Sequence, residues 1–193
     1  MILKVDKFEE YVENLISAQR SFLVSSANLL SDLMIDAITN SRNVYLCGNG
    51  GSGANALHIA NDFMLFGQEN NLKGVNIESL NANISILTCI ANDVSFDDIF
   101  VNQLQSKVKK DDYLIVLSGS GNSKNIIKSI DFANKKGAIT VGIFGFDGGT
   151  GKSLVQKLIH FKVNNMQIVE DLQISLCHMV MNRLKSIYVE SKQ

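Results

Sequence analysis

Four short and almost unbroken apolar stretches constrain this chain most: NVYLCG at 43–48, YLIVLSG at 113–119, AITVGIFG at 138–145 and LIHFKV at 158–163. A strand with one face in water alternates apolar and polar residues, whereas a continuous run needs cover on both faces, as in a buried parallel sheet. A weaker run, GVNIES at 74–79, supplies a fifth strand. Helix-period patterns separate the runs, at 52–66, at 85–108 with a break near Asn92, at 122–136 and at about 166–189. Parallel neighbours need such crossovers, so the expected fold is α/β, three layers with a five-stranded parallel sheet, and ligands bind at the carboxyl ends of its strands.

Before the first strand, Phe8, Tyr11 and Leu15, then Leu29, Leu30, Leu33, Met34 and Ile38, recur at helical spacing and predict two N-terminal helices over about 5–40. A length of 193 residues with 46% hydrophobic content suits one domain, 1–193. A formal charge of -1 provides no basic field for a phosphate backbone, which argues against nucleic acid as a partner. Cys47, Cys89 and Cys177 are an odd number with no C-x-x-C pair, the pattern of reduced thiols in the cytoplasm. Charges at Lys4, Asp6, Lys7, Glu9 and Glu10 break up the stretch a secretory leader would need. Asp32 and Asp36 interrupt LLSDLMIDAI, so no membrane span is expected.

Three loops carry candidate chemistry. CGNGGSG at 47–53 follows a strand and opens a helix, the setting of a dinucleotide fingerprint. That fingerprint also wants an acidic residue about twenty positions on; Glu69 and Glu78 bracket the place, but Glu69 sits in FGQENNL, which reads as a loop. LSGSGNSKN at 117–125 offers the hydroxyls of Ser118, Ser120 and Ser123, with Gly119 and Gly121 letting backbone N–H groups approach and a helix start aimed at the same point. Those are the parts of a phosphate cradle; the plainer alternative is a Ser/Gly turn with a helix cap. GFDGGTGKS at 145–153 ends like a Walker A loop but has Phe146 where that pattern needs glycine, so it reads as a loop and cap.

His58 and Asp62 stand four apart on one helix face and can share an ion, and the terminal helix adds Glu170 and His178. Such a set suits zinc or another divalent metal; the plainer alternative is two interfacial histidines among solvated charges. His160, inside an apolar strand, reads as structural.

Taken in order, CGNGGSGANALHIAND, SILTCIANDVSFDDIF, LSGSGNSKN and GFDGGTGKS resemble the sugar isomerase (SIS) domain family over nearly the whole chain, above all its bacterial phosphoheptose isomerase branch. The resemblance implies a flavodoxin-like fold and a homotetramer packed through the N-terminal helices, with sites at subunit interfaces. It also implies aldose–ketose isomerisation of a sugar phosphate in heptose synthesis for lipopolysaccharide or capsule, and one zinc ion per subunit. On it, Ser118, Gly119, Ser120 and Ser123 fall on the phosphate loop. Asn49, Gly50, Gly51, Ser52, Asn92, Asp93 and Gln167 fall on substrate-contacting positions. His58, Asp62, Glu170 and His178 fall on metal ligands, with Asp62 and His178 in catalytic roles.

Four positions depart from the family pattern: Asp62 replaces glutamate, Glu170 glutamine, Gln167 aspartate and Gly119 threonine. Eight residues of straight helix separate Glu170 from His178 by about 12 Å, so one ion held by both implies a site shared between subunits. The rival expectations are a sugar-phosphate sensor or initiator-binding protein of the same fold, or an isomerase of another sugar phosphate.

Overall fold

A computed structural model describes residues 6–69 and 76–190. Five parallel strands form one sheet: β1 (Asn43–Gly48), β2 (Asn76–Ser79), β3 (Tyr113–Ser118), β4 (Ile139–Phe144) and β5 (Lys157–His160), in the spatial order β2-β1-β3-β4-β5. The helices are α1 (Asp6–Thr39), α2 (Gly50–Glu69), α3 (Ile84–Asp93), α4 (Val101–Lys107), α5 (Lys124–Lys135) and α6 (Met166–Glu190). The expected three-layer α/β/α fold is present. The run at 74–79 is a strand from Asn76 onward, and residues 74 and 75 lie outside the described residues.

Each central strand is covered twice, which is why its sequence is apolar without alternation. Val44 and Leu46 of β1 join Tyr113, Ile115 and Leu117 of β3 in a core closed by α1, α2 and α6. Tyr45 and Cys47, pointing the other way, meet Leu114 and Val116 under α4 and α5. On α5, Ile126, Ile130 and Ala133 form the buried stripe.

Several boundaries differ from expectation. Residues 6–39 form one helix rather than two, because no glycine or proline interrupts the stretch and Ala18, Leu23, Ala27, Leu30, Met34 and Ala37 keep an unbroken buried face against α6. Tyr11 OH donates to Asp171 Oδ2 of α6 at 2.6 Å and pins the start of that rod. An 18-residue window of α1 has mean hydropathy 1.3, apolar enough by length and composition to cross a membrane, contrary to the expectation drawn from Asp32 and Asp36. In the fold, 39% of that window is buried against the domain. Glu69 ends α2 instead of lying in a loop, and β5 stops at His160, so 161–163 leave the sheet. The break expected near Asn92 is present: α3 ends at Asp93, and a short 3-10 turn at Phe96–Asp98 precedes α4.

One buried carboxylate aligns β1 with β3. Asp112 Oδ1 accepts from Asn43 N and Asn43 Nδ2, both at 3.0 Å, and Oδ2 accepts from Lys109 N at 2.9 Å. The resulting register pairs Val44 with Tyr113 and Gly48 with Leu117, so the loops after both strands emerge at the same level.

Candidate active site

Beside β1 and β3 the strand order reverses, and there the chain leaves toward opposite faces: α2 packs in the first core and α5 in the second. Diverging connections open a crevice at the carboxyl edge of such a sheet. The first wall is residues 49–52. A Cβ at Gly48 would come within 2.6 Å of Ser52 O, so only glycine lets the helix start directly on the strand. Asn81, following β2, clamps that turn: its Oδ1 accepts from Gly48 N at 3.2 Å and its Nδ2 donates to Gly48 O at 2.9 Å.

The second wall is the serine loop. Ser118 Oγ accepts from Gly121 N at 3.1 Å and Ser120 Oγ from Asn122 N at 3.3 Å, which folds the loop over the start of α5. Ser123 holds the N-cap position, yet its side chain makes no capping bond, which leaves its hydroxyl free to serve a ligand. The third loop, read from sequence as a simple turn and cap, buttresses the second. Gly145 N donates to Gly119 O and Gly151 N to Gly121 O, both at 2.9 Å, and Thr150 N donates to Asn122 Oδ1 at 2.8 Å. His160 has the structural role expected: its Nε2 bonds Phe146 O at 3.0 Å and holds Phe146 at φ 48°.

Between the walls lies a cleft of about 270 Å³ lined by Asn49, Gly50, Gly51, Ser52, Ser118, Gly119, Ser120, Ser123, Met166 and Glu170. The walls are tied by a reciprocal amide pair: Asn49 Nδ2 donates to Asn125 Oδ1 and Asn125 Nδ2 to Asn49 Oδ1, each at 2.9 Å. Met166 covers Gly119, where a Cβ would overlap its sulfur.

Farther along α2 and α6, three ligand atoms converge. His58 Nε2 lies 3.2 Å and His178 Nε2 3.5 Å from Asp62 Oδ2, and the two Nε2 atoms lie 3.1 Å apart. Two ligands about 2.05 Å from a tetrahedral ion stand about 3.3 Å apart, so this triangle has the edge lengths of a zinc site. The chemistry fits too, since a carboxylate oxygen and two imidazole nitrogens facing one point are better satisfied by a cation than by one proton. Among the described residues the cluster consists of these three. Glu170 stands apart in the cleft, its carboxylate against Gly51.

Eight of the eleven residues expected to contact substrate or phosphate line one chain's cleft; Asn92, Asp93 and Gln167 do not, and Asn92 and Asp93 are exposed at the end of α3.

 Gln167 sits at the margin, in the first turn of α6 between the lining residues Met166 and Glu170. Asn81, Asn125 and Met166 were not picked out by sequence reasoning. Only Asn125, at the end of LSGSGNSKN, lay inside a motif that could have flagged it. The thiols stay out of the chemistry: burial pushes Cys47 and Cys177 up to about 12, and the hydrogen bond from exposed Cys89 to Asp93 raises its pKa.

A doubly wound domain with a serine- and glycine-rich loop at its switch point and a metal-type cluster on the adjoining helices places a small-ligand cleft at the carboxyl edge of its sheet. The SIS domain model matches residues 7–145, and the chain belongs to that family. It is 34% identical to a phosphoheptose isomerase of Nitratiruptor sp. over 151 residues, 78% of this chain and 80% of that one. It is 31% identical to a phosphoheptose isomerase of Helicobacter hepaticus over 179 residues, 92% and 90% of the two chains. The solved phosphoheptose isomerase of Neisseria gonorrhoeae superposes with a TM-score of 0.85 at 26% identity, covering 94% of this chain and 98% of that one.

Proposed function

We propose that this protein is a phosphoheptose isomerase, interconverting sedoheptulose 7-phosphate and D-glycero-D-manno-heptose 7-phosphate for lipopolysaccharide or capsule synthesis. The observation that carries the reading is that α2 and α6 bear both one side of the cleft, Gly50, Gly51, Ser52, Met166 and Glu170, and the His58, Asp62 and His178 cluster. His58 lies eight residues beyond Gly50, about 12 Å along α2, a separation suited to a ligand with phosphate at one end of a long carbon chain and a carbonyl at the other.

His58, Asp62 and His178 would hold a zinc ion, which when bound supplies Lewis-acid polarisation of a carbonyl. Each remaining task falls to the chain itself. The serine loop and the N-terminus of α5 bind the phosphate and fix the register of the sugar. Asp62 or His178 takes the proton from the carbon beside the carbonyl and returns it to its neighbour through an enediol.

A soluble cytoplasmic homotetramer with interfacial sites completes the proposal. Phe8, Val12 and Ile16 form an exposed apolar stripe on α1, and α3 has no buried residue while exposing Ile84, with Val94 and Phe96 exposed just beyond it. A second copy covering these faces is the route by which Asn92 and Asp93 would reach a site.

The test is proton NMR of zinc-supplemented protein with sedoheptulose 7-phosphate in D2O. Formation of an aldose deuterated at C2 is expected. No turnover with zinc present would overturn the isomerase reading in favour of a binding protein.

A further inference from the structure

A groove of about 410 Å³ lies between the first half of α1 and the segment that joins β5 to α6, and it shares no lining residue with the cleft between the serine loop and α2. From α1 come Asn14, Ser17 and Ser21, spaced three and four apart and so on one face of the helix. The joining segment contributes Lys162, Asn164 and Asn165. The α1 face in question stands about half a turn round the helix from the exposed Phe8, Val12 and Ile16, so a second copy seated on that apolar stripe does not face the groove.

The groove holds more hydrogen-bonding capacity than the chain uses. Ser21 Oγ donates to Ser17 O at 2.8 Å, and Asn165 Oδ1 accepts from Ile168 N at 3.2 Å. Among the described residues the Asn165 amide N–H groups and the side chains of Asn14, Ser17, Lys162 and Asn164 have no partner. No acidic residue lines the groove, and Lys162 enters no ion pair among the described residues, so its charge is uncompensated. Phe22 adds an apolar patch, its ring set against Phe161 with centroids 6.2 Å apart. The floor is braced, since Val163 N donates to Phe161 O at 2.7 Å and Val163 O accepts from Phe146 N at 3.1 Å.

We infer that this groove is a second small-molecule site, for a sugar carrying one anionic group, a phosphate or a carboxylate. Side-chain amides give and receive hydrogen bonds, which matches hydroxyls that do both. A single uncompensated lysine suits one negative charge, where a polyphosphate or a nucleic-acid backbone would call for a row of them. Phe22 offers a surface for the C–H face of a sugar ring, and the volume falls in the usual range for small ligands, roughly 300–1,000 Å³. The site does not depend on the isomerase reading, because its residues are not those of the cleft or of the His58, Asp62 and His178 cluster.

The experiment uses Ser120→Ala protein, in which the serine loop is weakened, so that the groove is read separately from the cleft. Acetylation of Lys162 by an activated acetate ester is followed by mass spectrometry with glucose 6-phosphate, gluconate, glucose or inorganic phosphate present, and calorimetry gives each affinity. Glucose 6-phosphate or gluconate, at about ten times its Kd, should slow acetylation of Lys162 about tenfold. Lys110, at the opposite edge of the sheet, should react at an unchanged rate; glucose and inorganic phosphate should protect Lys162 far less. Whichever sugar anion protects names the charged group. Adding Lys162→Gln should weaken its binding about 10–100-fold, and adding Asn14→Ala about 3–10-fold, with circular dichroism confirming the fold of each variant.

Equal acetylation of Lys162 with and without both sugar anions overturns the inference. Protection by inorganic phosphate as strong as that by the sugar anions overturns it too, as the mark of an adventitious ion only. A Lys162 that is unreactive before any ligand is added shows a groove covered by a second copy, and the small-molecule site falls.

Discussion

Replacing Gly149 by alanine tests whether the third loop sets the geometry of the second. Gly149 has φ 52° and ψ -159°, a region that only glycine occupies without strain. An added Cβ would overlap Ser120 O and lie 2.6 Å from the Asn122 carboxamide, so relief requires moving the serine loop. Backbone strain of about 1–3 kcal/mol, with the overlap added, gives an expected loss of about 2–4 kcal/mol. For a chain of this size that lowers Tm by roughly 6–12 °C. Gly137→Ala is the comparison. There φ is 76° but the nearest atom is Cγ of the flexible Lys110 at 3.2 Å, far from the cleft, and the cost should be about 1 kcal/mol. Thermal melts followed by circular dichroism measure both variants, and titration with inorganic phosphate measures the loop. Gly149→Ala should weaken phosphate binding while Gly137→Ala leaves it unchanged. Equal melting points and equal phosphate affinity in the two variants would refute the buttress argument.

Other outcomes follow from the same geometry. Ser120→Ala should raise KM more than it lowers kcat, whereas His178→Gln should cut kcat severely with sugar-phosphate binding retained; steady-state kinetics and a binding titration separate the two. A chelator should abolish turnover and added zinc restore it, as read by the same assay. Asp112→Ala leaves Asn43 and Lys109 donors without their acceptor at the amino ends of β1 and β3, and urea denaturation should show a loss of about 2–4 kcal/mol. Alkylation of Cys89 should speed up in Asp93→Asn at pH 8, because the carboxylate that accepts from the thiol holds its pKa above the ordinary value; an unchanged rate would show that the contact does not form in solution.

The sheet was legible because burial on both faces leaves its mark on every residue of β1, β3 and β4. Both cleft loops were legible as well, since glycine and serine at a strand-to-helix turn have a local cause. The single rod of α1 was missed: helical spacing shows that residues are helical, but what joins two helical stretches into one is the continuous contact with α6, far along the chain, as in the Tyr11–Asp171 and Asn28–Arg183 contacts 160 and 155 residues apart. The place of the Glu170 carboxylate within one chain, apart from His58, Asp62 and His178, was not legible for a similar reason. Its carboxylate lies in the cleft because position 51, on another helix, has no side chain, and no spacing within α6 encodes that. The buttressing role of residues 145–151 depends on positive φ at Phe146, Gly148 and Gly149, which a reading as a loop and cap does not convey.

The Asn49–Asn125 pair acts as a strut of fixed length. Because each amide both gives and receives, neither wall can drift without breaking two bonds at once, and the gap is held before any ligand arrives. Relatives built on this frame could therefore change which sugar they take by altering side chains that project into a constant gap, as Met166 does over Gly119, without retuning the scaffold that spaces the walls.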